Sequence, residues 1–168
     1  LALVLDRESF FEIAPRFGRS LVTGLARLAG RPVGVMGNDP RWLGGAIDGA
    51  ASDKMVRFVD LCDTFHLPVV NFVDNPGFLI GVAGEKAGTM RRGARAIFSV
   101  YQASVPWCSI LLRRVFGVAG AAHGRILFSM EPLSFWGGYD YRTGEIIDRR
   151  HPLSGATAAG CILCLPAT

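Results

Sequence analysis

The chain has 168 residues, 50% of them hydrophobic, and a formal net charge of +4. This size and composition predict one globular core rather than a disordered segment. Charged residues interrupt every apolar run before it reaches the ~20 residues that a membrane-spanning helix needs, so we expect no membrane partner. The basic residues occur singly or in pairs without interleaved aromatic residues, so we also expect no nucleic-acid partner.

The first third of the chain is predicted to be rich in β-strands. Apolar and β-branched residues indicate short strands from Phe10 to Ile13, from Leu21 to Leu28 and from Arg31 to Gly37. The Ala29-Gly30 step between the last two strands is typical of a hairpin turn.

From Asp48 the apolar pattern becomes helical, and the helix is expected to stop before Pro68. The strand PVVNFVD follows, then a second amphipathic helix from Glu85 to Ala103, then the strand PWCSILLRR. The apolar positions of the first helix are Ala51, Met55, Phe58, Val59, Cys62 and Phe65, and those of the second are Met90, Ala94, Ile97, Phe98 and Tyr101.

Helices that alternate with almost continuously apolar strands predict an α/β fold with parallel neighbouring strands. Ligands of such sheets bind at the carboxyl ends of the strands. Two Gly-rich loops, DNPGFLIGVAGEKAG and RRVFGVAGAAHG, follow two successive strands and are expected at this edge.

The first of these loops has the composition of a binding loop for a negatively charged oxygen. Pro76 restricts the turn, while Gly77 and Gly81 permit backbone conformations and close approaches that a Cβ would obstruct. Several N–H groups of such a loop can converge on one crevice. The alternative is that the glycines simply serve tight turns between strand and helix.

Side chains of a standard catalytic site are hard to find in this sequence. It has no G-x-S-x-G elbow and neither of the common Gly-rich phosphate motifs. His66, His123 and His151 are each interpreted as surface or capping residues rather than bases. Asp74 and Glu85 could form an acid/base pair, but carboxylates at these positions also have ordinary structural roles.

The four cysteines form one close pair and two isolated residues. Cys62 and Cys108 lie inside apolar segments, so we expect buried free thiols rather than a disulfide framework. Cys161 and Cys164 form a C-x-x-C pair, which is half of a zinc ribbon. Because neither a second pair nor suitably spaced histidines accompany it, we expect no metal site.

Several motifs in a specific order carry a family resemblance. In chain order these are Gly-Arg-Pro-Val-Gly from Gly30, Lys54 and Arg57-Phe58 on the first helix, Asp-x-Pro-Gly-Phe-x-x-Gly from Asp74, Glu85, Arg-x-Gly-Ala from Arg91, and Val105-Pro106. With these motifs the chain resembles, from Phe10 to Gly124, the C-terminal half of the biotin-dependent acyl-CoA carboxyltransferases of propionyl-CoA, acetyl-CoA and methylcrotonyl-CoA carboxylases.

The resemblance implies a crotonase-like fold of ββα repeats and a site at the interface between carboxyltransferase subunits of a homo-oligomer. It implies carboxyl transfer from carboxybiotin, held on a carrier protein, to the α-carbon of an acyl-CoA. The partner biotin carboxylase would use ATP and bicarbonate. The expected compartment is the cytoplasm, or the mitochondrial matrix in a eukaryote.

The resemblance also implies the site residues. Carboxybiotin would lose CO2 while main-chain N–H groups hold its ureido oxygen, and biotin itself would take the α-proton, so no side-chain base is needed. The family's Gly-Gly-Ala run aligns with Gly117-Val118-Ala119, which assigns the oxyanion hole to the N–H groups of Val118 and Ala119. The implied carboxybiotin-binding residues are Pro76, Gly77, Phe78, Gly81 and Gly117.

Departures from the family pattern limit these implications. Val118 replaces a glycine and adds a branched Cβ near the expected hole. Ala121 stands where many propionyl-type members carry an Asp, so the acyl chain is not assigned. From Arg125 onward the pattern is lost, and residues 125–168 are expected to be an atypical, frame-shifted or truncated tail beside a domain of residues 1–124.

Because the sequence opens on Leu1 with a charge pair soon after, we also expect a fragment without a signal peptide. Two alternative functions stay open. One is a free-standing crotonase-like hydratase or isomerase, which would need a glutamate base. The other is a non-catalytic remnant that associates with intact subunits.

Overall fold

The computed structural model describes residues 4–117, 125–128, 131, 133, 138–140, 142–157 and 161–164. The chain divides into two compact units, Leu1–Ala122 and His123–Thr168. The boundary expected from the sequence, residue 124, falls next to this division. That the second segment is frame-shifted or truncated stays a prediction.

The first unit is built on a five-stranded sheet with the strand order β1-β2-β3-β4-β5. β2 and β3 form an antiparallel hairpin, whereas β3, β4 and β5 are parallel neighbours, so both predictions are confirmed. Ala29 and Gly30 both have positive φ angles, as the tight hairpin turn requires. The strands are β1 Phe11–Glu12, β2 Leu21–Leu28, β3 Arg31–Asn38, β4 Val69–Asn75 and β5 Trp107–Val115.

Helices connect the parallel strands. Helix α1, Gly49–Thr64, joins β3 to β4, and its N-terminus is capped because the Asp48 carboxylate accepts a hydrogen bond from the Ala51 N–H at 2.7 Å. Between β4 and β5 the sequence predicted one helix from Glu85 to Ala103. The structure instead has two helices, α2 Val82–Lys86 and α3 Thr89–Gln102, because Gly88 adopts a left-handed conformation between them.

The main core lies between α1, α3 and one face of the sheet. Five of the six apolar positions predicted for α1 are buried there, from Ala51 to Cys62. Phe65 is exposed, contrary to the prediction, because α1 ends at Thr64. The other sheet face carries a second cluster that includes Val35 and Phe72.

The two isolated cysteines differ in their surroundings. Cys62 is buried in the core, and this burial raises the pKa of its thiol to about 11. Cys108 is exposed, so its predicted burial is wrong. It lies on β5, which is the last strand of the sheet, and the exposed side chains of Ile110 and Leu112 follow it on the same face.

The second unit contains more regular pairing than the sequence indicated. Strands β6, Arg125–Phe128, and β7, Cys161–Cys164, are parallel neighbours. Tyr139 pairs with Ile146 in an antiparallel bridge, and Ile146 is fully buried. That residues 125–168 form an atypical tail stays a prediction.

Two further features concern the described residues alone. None of their helices is both long and apolar enough to cross a membrane. Within the same ranges, no three His, Cys, Asp or Glu side chains are grouped in a way that could hold a metal ion.

Candidate functional site

A cavity of about 430 Å³ opens at the carboxyl end of β4 in the first unit. Its position is the edge of the sheet at which the sequence placed the ligand. Its walls come from the loop after β4, from α3 and from the end of β5. The lining residues are Pro76, Gly77, Phe78, Ile80, Met90, Gly93, Ala94, Ile97 and Gly117.

The loop after β4 is held by main-chain hydrogen bonds to Ile47. The Ile47 N–H donates to the Gly77 carbonyl at 3.0 Å, and the Leu79 N–H donates to the Ile47 carbonyl at 2.8 Å. The Gly77 N–H donates to the Asn75 side-chain oxygen at 2.9 Å. The N–H groups of Gly77 and Leu79 are therefore engaged within the chain, and neither is free to bind a ligand oxygen as the loop composition had indicated.

Parallel pairing of β4 and β5 brings the end of β5, with Phe116 and Gly117, to the same cavity. The Phe116 N–H donates to the Asn75 carbonyl at 3.0 Å, which holds the end of β5 beside the end of β4. Gly117 consequently lines the cavity together with Pro76 and Gly77. Val118 and Ala119, the residues expected to form the oxyanion hole, lie outside the described residues.

Gly81 differs from the other glycines predicted for the site. It has a positive φ of 106°, as expected for a turn glycine, but it is not among the residues that line the cavity. Pro76, Gly77, Phe78 and Gly117 are lining residues, and their role in binding stays a prediction.

Helix α3 supplies the wall that the sequence-based site prediction missed. Gly93 contacts the ring of Phe78 so closely that a Cβ at this position would lie 2.8 Å from a ring carbon. Met90, Ala94 and Ile97 line the cavity at helical spacing. This spacing alone indicates an ordinary apolar stripe. The Arg-x-Gly-Ala motif, which served only the family resemblance, is the signal that could have assigned Gly93 and Ala94 to the site.

A charged cluster fixes the strand ends below the cavity. The buried carboxylate of Asp74 accepts hydrogen bonds from Arg113 at 2.8 Å and from Arg114 at 2.9 Å. Arg114 also donates to the Gly44 carbonyl at 2.6 Å. The hydrogen bonds from Arg113 and then from Arg114 lower the pKa of the Asp74 carboxyl, against the opposing effect of burial. A carboxylate with a lowered pKa is a weak base, so Asp74 is suited to positioning rather than proton transfer.

Asn75 lies at the centre of this arrangement and is fully buried. Its side-chain oxygen accepts from Gly77 and its carbonyl accepts from Phe116, so it links both loops. Its side-chain nitrogen has no hydrogen-bond partner within the described part of the chain. Asn75 was not among the predicted site residues, although it occupies the variable position of the Asp-x-Pro-Gly-Phe motif.

The histidines do not contribute to this cavity within the described ranges. His66 follows α1 with a positive φ of 53° and is exposed. His151, in the second unit, is buried rather than at the surface, and its ring accepts a hydrogen bond from the Leu153 N–H at 3.2 Å. That contact fits a capping role. His123 lies outside the described residues.

Comparison with known proteins gives two family matches. Residues 1–126 match the model of the carboxyl transferase domain, and residues 112–168 match the model of the aconitase X swivel domain. The second match covers the segment in which the carboxyltransferase pattern is lost.

Curated relatives agree with the first match. The chain is 44% identical over 124 residues to the biotin-dependent long chain acyl-coenzyme A carboxylase beta4 subunit of Mycobacterium tuberculosis, covering 74% of this chain and 24% of the relative. It is 41% identical over 116 residues to the human mitochondrial propionyl-CoA carboxylase beta chain, covering 69% of this chain and 22% of the relative. The chain thus spans about a quarter of the length of these relatives.

Solved structures show the same fold. The transcarboxylase 12S hexamer, crystallised with methylmalonyl-coenzyme A and methylmalonic acid, matches with a TM-score of 0.70 and 39% identity, covering 72% of this chain and 24% of that one. A single-chain, multi-domain long-chain acyl-CoA carboxylase matches with a TM-score of 0.70 and 38% identity, covering 71% of this chain and 12% of that one. With its parallel strands and a family match over residues 1–126, the chain belongs to the carboxyl transferase domain family.

Proposed function

We propose that the first unit is the carboxybiotin-binding part of a biotin-dependent acyl-CoA carboxyltransferase. The observation that carries the proposal is the cavity in which Pro76 to Phe78, Gly117 and the Gly93-Ala94 segment of α3 meet. These segments are far apart in sequence, and each belongs to a motif of the family resemblance. Because the chain spans about a quarter of its relatives, the acyl-CoA-binding half is supplied by another part of the enzyme.

The residues present fit a biotin group. A volume of about 430 Å³ lies within the range of ~300–1,000 Å³ typical of small-molecule pockets. Phe78, Ile80, Met90 and Ile97 offer apolar walls against which a ring system can pack. Gly77 and Gly117 leave room for close approach of the backbone. When bound, carboxybiotin supplies the carboxyl group that is transferred.

Polar recognition of the ureido oxygen is assigned to the N–H groups of Val118 and Ala119. The family resemblance implies this assignment. The N–H groups of Gly77, Leu79 and Phe116 have partners within the chain and do not compete for the role. The Asp74–Arg114 ion pair would position these loops by joining β4, β5 and Gly44.

The apolar side chains that α3 exposes support a second subunit as partner. Met90, Phe98 and Tyr101 are more than half exposed on this helix. Related transcarboxylase 12S assembles as a hexamer. We infer that another carboxyltransferase subunit, which also brings the acyl-CoA, covers this surface. A biotin carboxylase with its carrier, using ATP and bicarbonate, and a cytoplasmic or mitochondrial location complete the proposal.

The second unit is proposed to be a separate domain with no part in carboxyl transfer. Its match to the aconitase X swivel domain model favours a second domain over a shifted reading frame, because a shifted frame would not match a family model. The bridge between Tyr139 and Ile146 and the buried Ile146 are consistent with this.

The hydratase or isomerase alternative is less well supported by the geometry. Such an enzyme needs a carboxylate base in the cavity, yet none of the lining residues is acidic. Asp74, the buried carboxylate below the cavity, is engaged by two arginines.

The test uses a full-length carboxyltransferase that carries residues 10–124 of this chain. Ala119→Pro removes one N–H donor from the proposed oxyanion hole, and we expect carboxyl transfer to fall by ~10²–10³-fold or more. Cys108→Ala is the control, because Cys108 is exposed on β5 and does not line the cavity. A folded Ala119→Pro enzyme with unchanged turnover would refute the site assignment.

The isolated chain provides a complementary test. Without an acyl-CoA half and a biotin carrier, it should carboxylate no acyl-CoA when supplied with bicarbonate and ATP. Formation of a carboxylated acyl-CoA by the purified chain would contradict this and the proposed division of the site.

A further inference from the structure

A lysine is buried in α1, and it forms no ion pair with a carboxylate of the described residues. Lys54 is 4% exposed, and its ammonium donates a hydrogen bond to the Leu21 carbonyl at 2.7 Å. Among the described residues, none of the ion pairs includes Lys54. Buried charges in proteins are usually paired, because burial removes the ammonium from water. Here that burial lowers the pKa of Lys54, while the nearby Glu12 opposes the shift.

Lys54 lines a second cavity, of about 220 Å³, between α1 and the start of the sheet. One wall comes from α1, where Lys54, Arg57, Phe58 and Leu61 share one helical face. The other comes from Thr23 on β2 and from Ile13, Ala14 and Phe17 of the preceding segment. This cavity has no lining residue in common with the carboxybiotin cavity.

The chemistry of the lining defines a class of ligand. Two cations line the cavity, the buried Lys54 and the exposed Arg57, and its other walls are largely apolar and include two phenylalanines. An apolar cavity of ~150 Å³ holds benzene, so a cavity of about 220 Å³ has room for a six-carbon body with a carboxylate attached. A neutral apolar molecule would leave the ammonium of Lys54 without an anionic partner.

We infer that this cavity binds a small monocarboxylate with an apolar body, whose carboxylate pairs with Lys54 and Arg57. The body of the ligand packs against Phe58, Leu61 and Phe17. The carboxylate supplies the anionic partner that Lys54 lacks in the described chain. Glu12, on β1, is exposed and forms no ion pair with Lys54. The inference is independent of the proposed carboxyl transfer, because the two cavities are separate.

The lysine content of the chain allows a direct test. Lys54 and Lys86 are its two lysines, so incorporation of lysine labelled at Cε and Nζ gives two side-chain NMR signals in the 168-residue chain. Benzoate is the probe, and benzyl alcohol is the neutral probe of the same size. We expect benzoate to shift the Lys54 signal saturably, to leave the exposed Lys86 signal in place, and to bind at least tenfold more tightly than benzyl alcohol.

Variants sharpen the assignment. Lys54→Met removes the ammonium but keeps an unbranched side chain, and it should weaken benzoate binding at least tenfold. Lys86→Met removes the same charge from an exposed position of α2 and should leave binding unchanged. If Lys54→Met does not fold, the titration of the labelled wild-type chain decides.

Three results would overturn the inference. The Lys54 signal could stay in place up to millimolar benzoate, which would leave Lys54 as a structural contact to Leu21 alone. Both lysine signals could shift alike, which would indicate non-specific binding. Benzyl alcohol could bind as tightly as benzoate, which would reduce the site to an apolar cavity.

Discussion

Helices α1 and α3 carry the same kind of apolar pattern and use it in opposite ways. On α1, Met55, Phe58 and Val59 are 3%, 3% and 1% exposed. On α3, Phe98 and Tyr101 are 64% and 62% exposed, although the spacing of the apolar residues is equally helical.

The difference lies in which side chains each helix turns inward. The apolar face of α1 packs into the main core, whereas α3 turns the small residues Thr89, Gly93 and Ala96 inward. Small residues allow α3 to approach Phe78 closely, and its larger apolar side chains then line the cavity or face outward. Periodicity thus predicts that a helix has an apolar stripe, but not what covers the stripe.

The largest effect on stability is expected in the core, where an α1 phenylalanine is buried and its α3 counterpart is exposed. Phe58→Ala on α1 should lower the free energy of unfolding by ~3–5 kcal/mol, because it leaves a cavity in the core. Phe98→Ala on α3 should change it by less than ~0.5 kcal/mol, because the ring is already exposed. Urea denaturation of both variants measures the difference, and equal losses would contradict the comparison.

The next largest effect on stability is expected at Asp74, because its ion pairs with Arg113 and Arg114 join the ends of β4 and β5 beside the cavity. Asp74→Asn removes the charge that Arg113 and Arg114 bind, and it should lower the free energy of unfolding by ~2 kcal/mol. Asp53→Asn is the matched control, because the Asp53–Arg92 ion pair is partly exposed and such pairs contribute ~0–1 kcal/mol. A loss no larger than the control's would show that the cluster does not hold the strand ends.

The lowered pKa of the Asp74 carboxyl predicts that the stability of the chain depends on pH. Its pKa is lowered in the folded chain, so its contribution to stability is complete above the unfolded value of ~3.9 and is lost as the pH falls through the folded pKa. Acid unfolding of the wild type should therefore be steeper below about pH 4 than that of Asp74→Asn. Parallel acid transitions in the two proteins would contradict the lowered pKa.

Much of this fold could be predicted from the sequence, because alternating apolar strands and an amphipathic α1 are local patterns. The parallel order of β3 to β5 followed from the helices between them. The exposure of Cys108 could not be predicted in this way, since it depends on β5 being the last strand of the sheet. The cavity wall from α3 was missed because its stripe is indistinguishable, by spacing, from that of α1.

The polar part of the site was also hard to predict. The loop composition predicts that several N–H groups converge on a ligand, yet the Gly77 N–H donates to the Asn75 side-chain oxygen within the loop. Asn75 occupies a motif position that tolerates any residue, so the motif gave no signal for it. Asp74 pairs with Arg113 and Arg114, which lie about forty positions further along the chain. A local sequence pattern does not predict a contact over this separation.

At the contact between α3 and Phe78 we expect a smaller loss of stability than at Asp74. Gly93→Ala places a Cβ within 2.8 Å of the Phe78 ring, so the ring must shift toward the cavity. Overpacking of ~1–3 kcal/mol should outweigh the ~1 kcal/mol gained from the higher helix propensity of alanine, for a net loss of about 1 kcal/mol. Urea denaturation gives the change in stability. A variant more stable than the wild type would show that the ring does not rest on Gly93.

The exposed apolar stripe of α3 consists of Met90, Phe98 and Tyr101. Substitution there is expected to have the smallest effect on stability but a clear effect on self-association. Phe98→Glu should leave the free energy of unfolding within ~0.5 kcal/mol of the wild type, because the ring buries little surface in this chain. It should reduce self-association of the chain, since exposed apolar patches drive contacts between molecules. Sedimentation velocity over a range of concentrations measures this.

Gln102→Glu is the matched control, because it adds the same charge at an exposed position of α3 without removing an apolar side chain. If Phe98→Glu lowers association and Gln102→Glu does not, the apolar stripe rather than net charge is responsible. Should Phe98→Glu instead cost more than ~2 kcal/mol, the ring would be covered within the chain, and the contrast between α1 and α3 would fail. A stripe that associates without contributing to stability is the behaviour expected of a surface that another subunit covers.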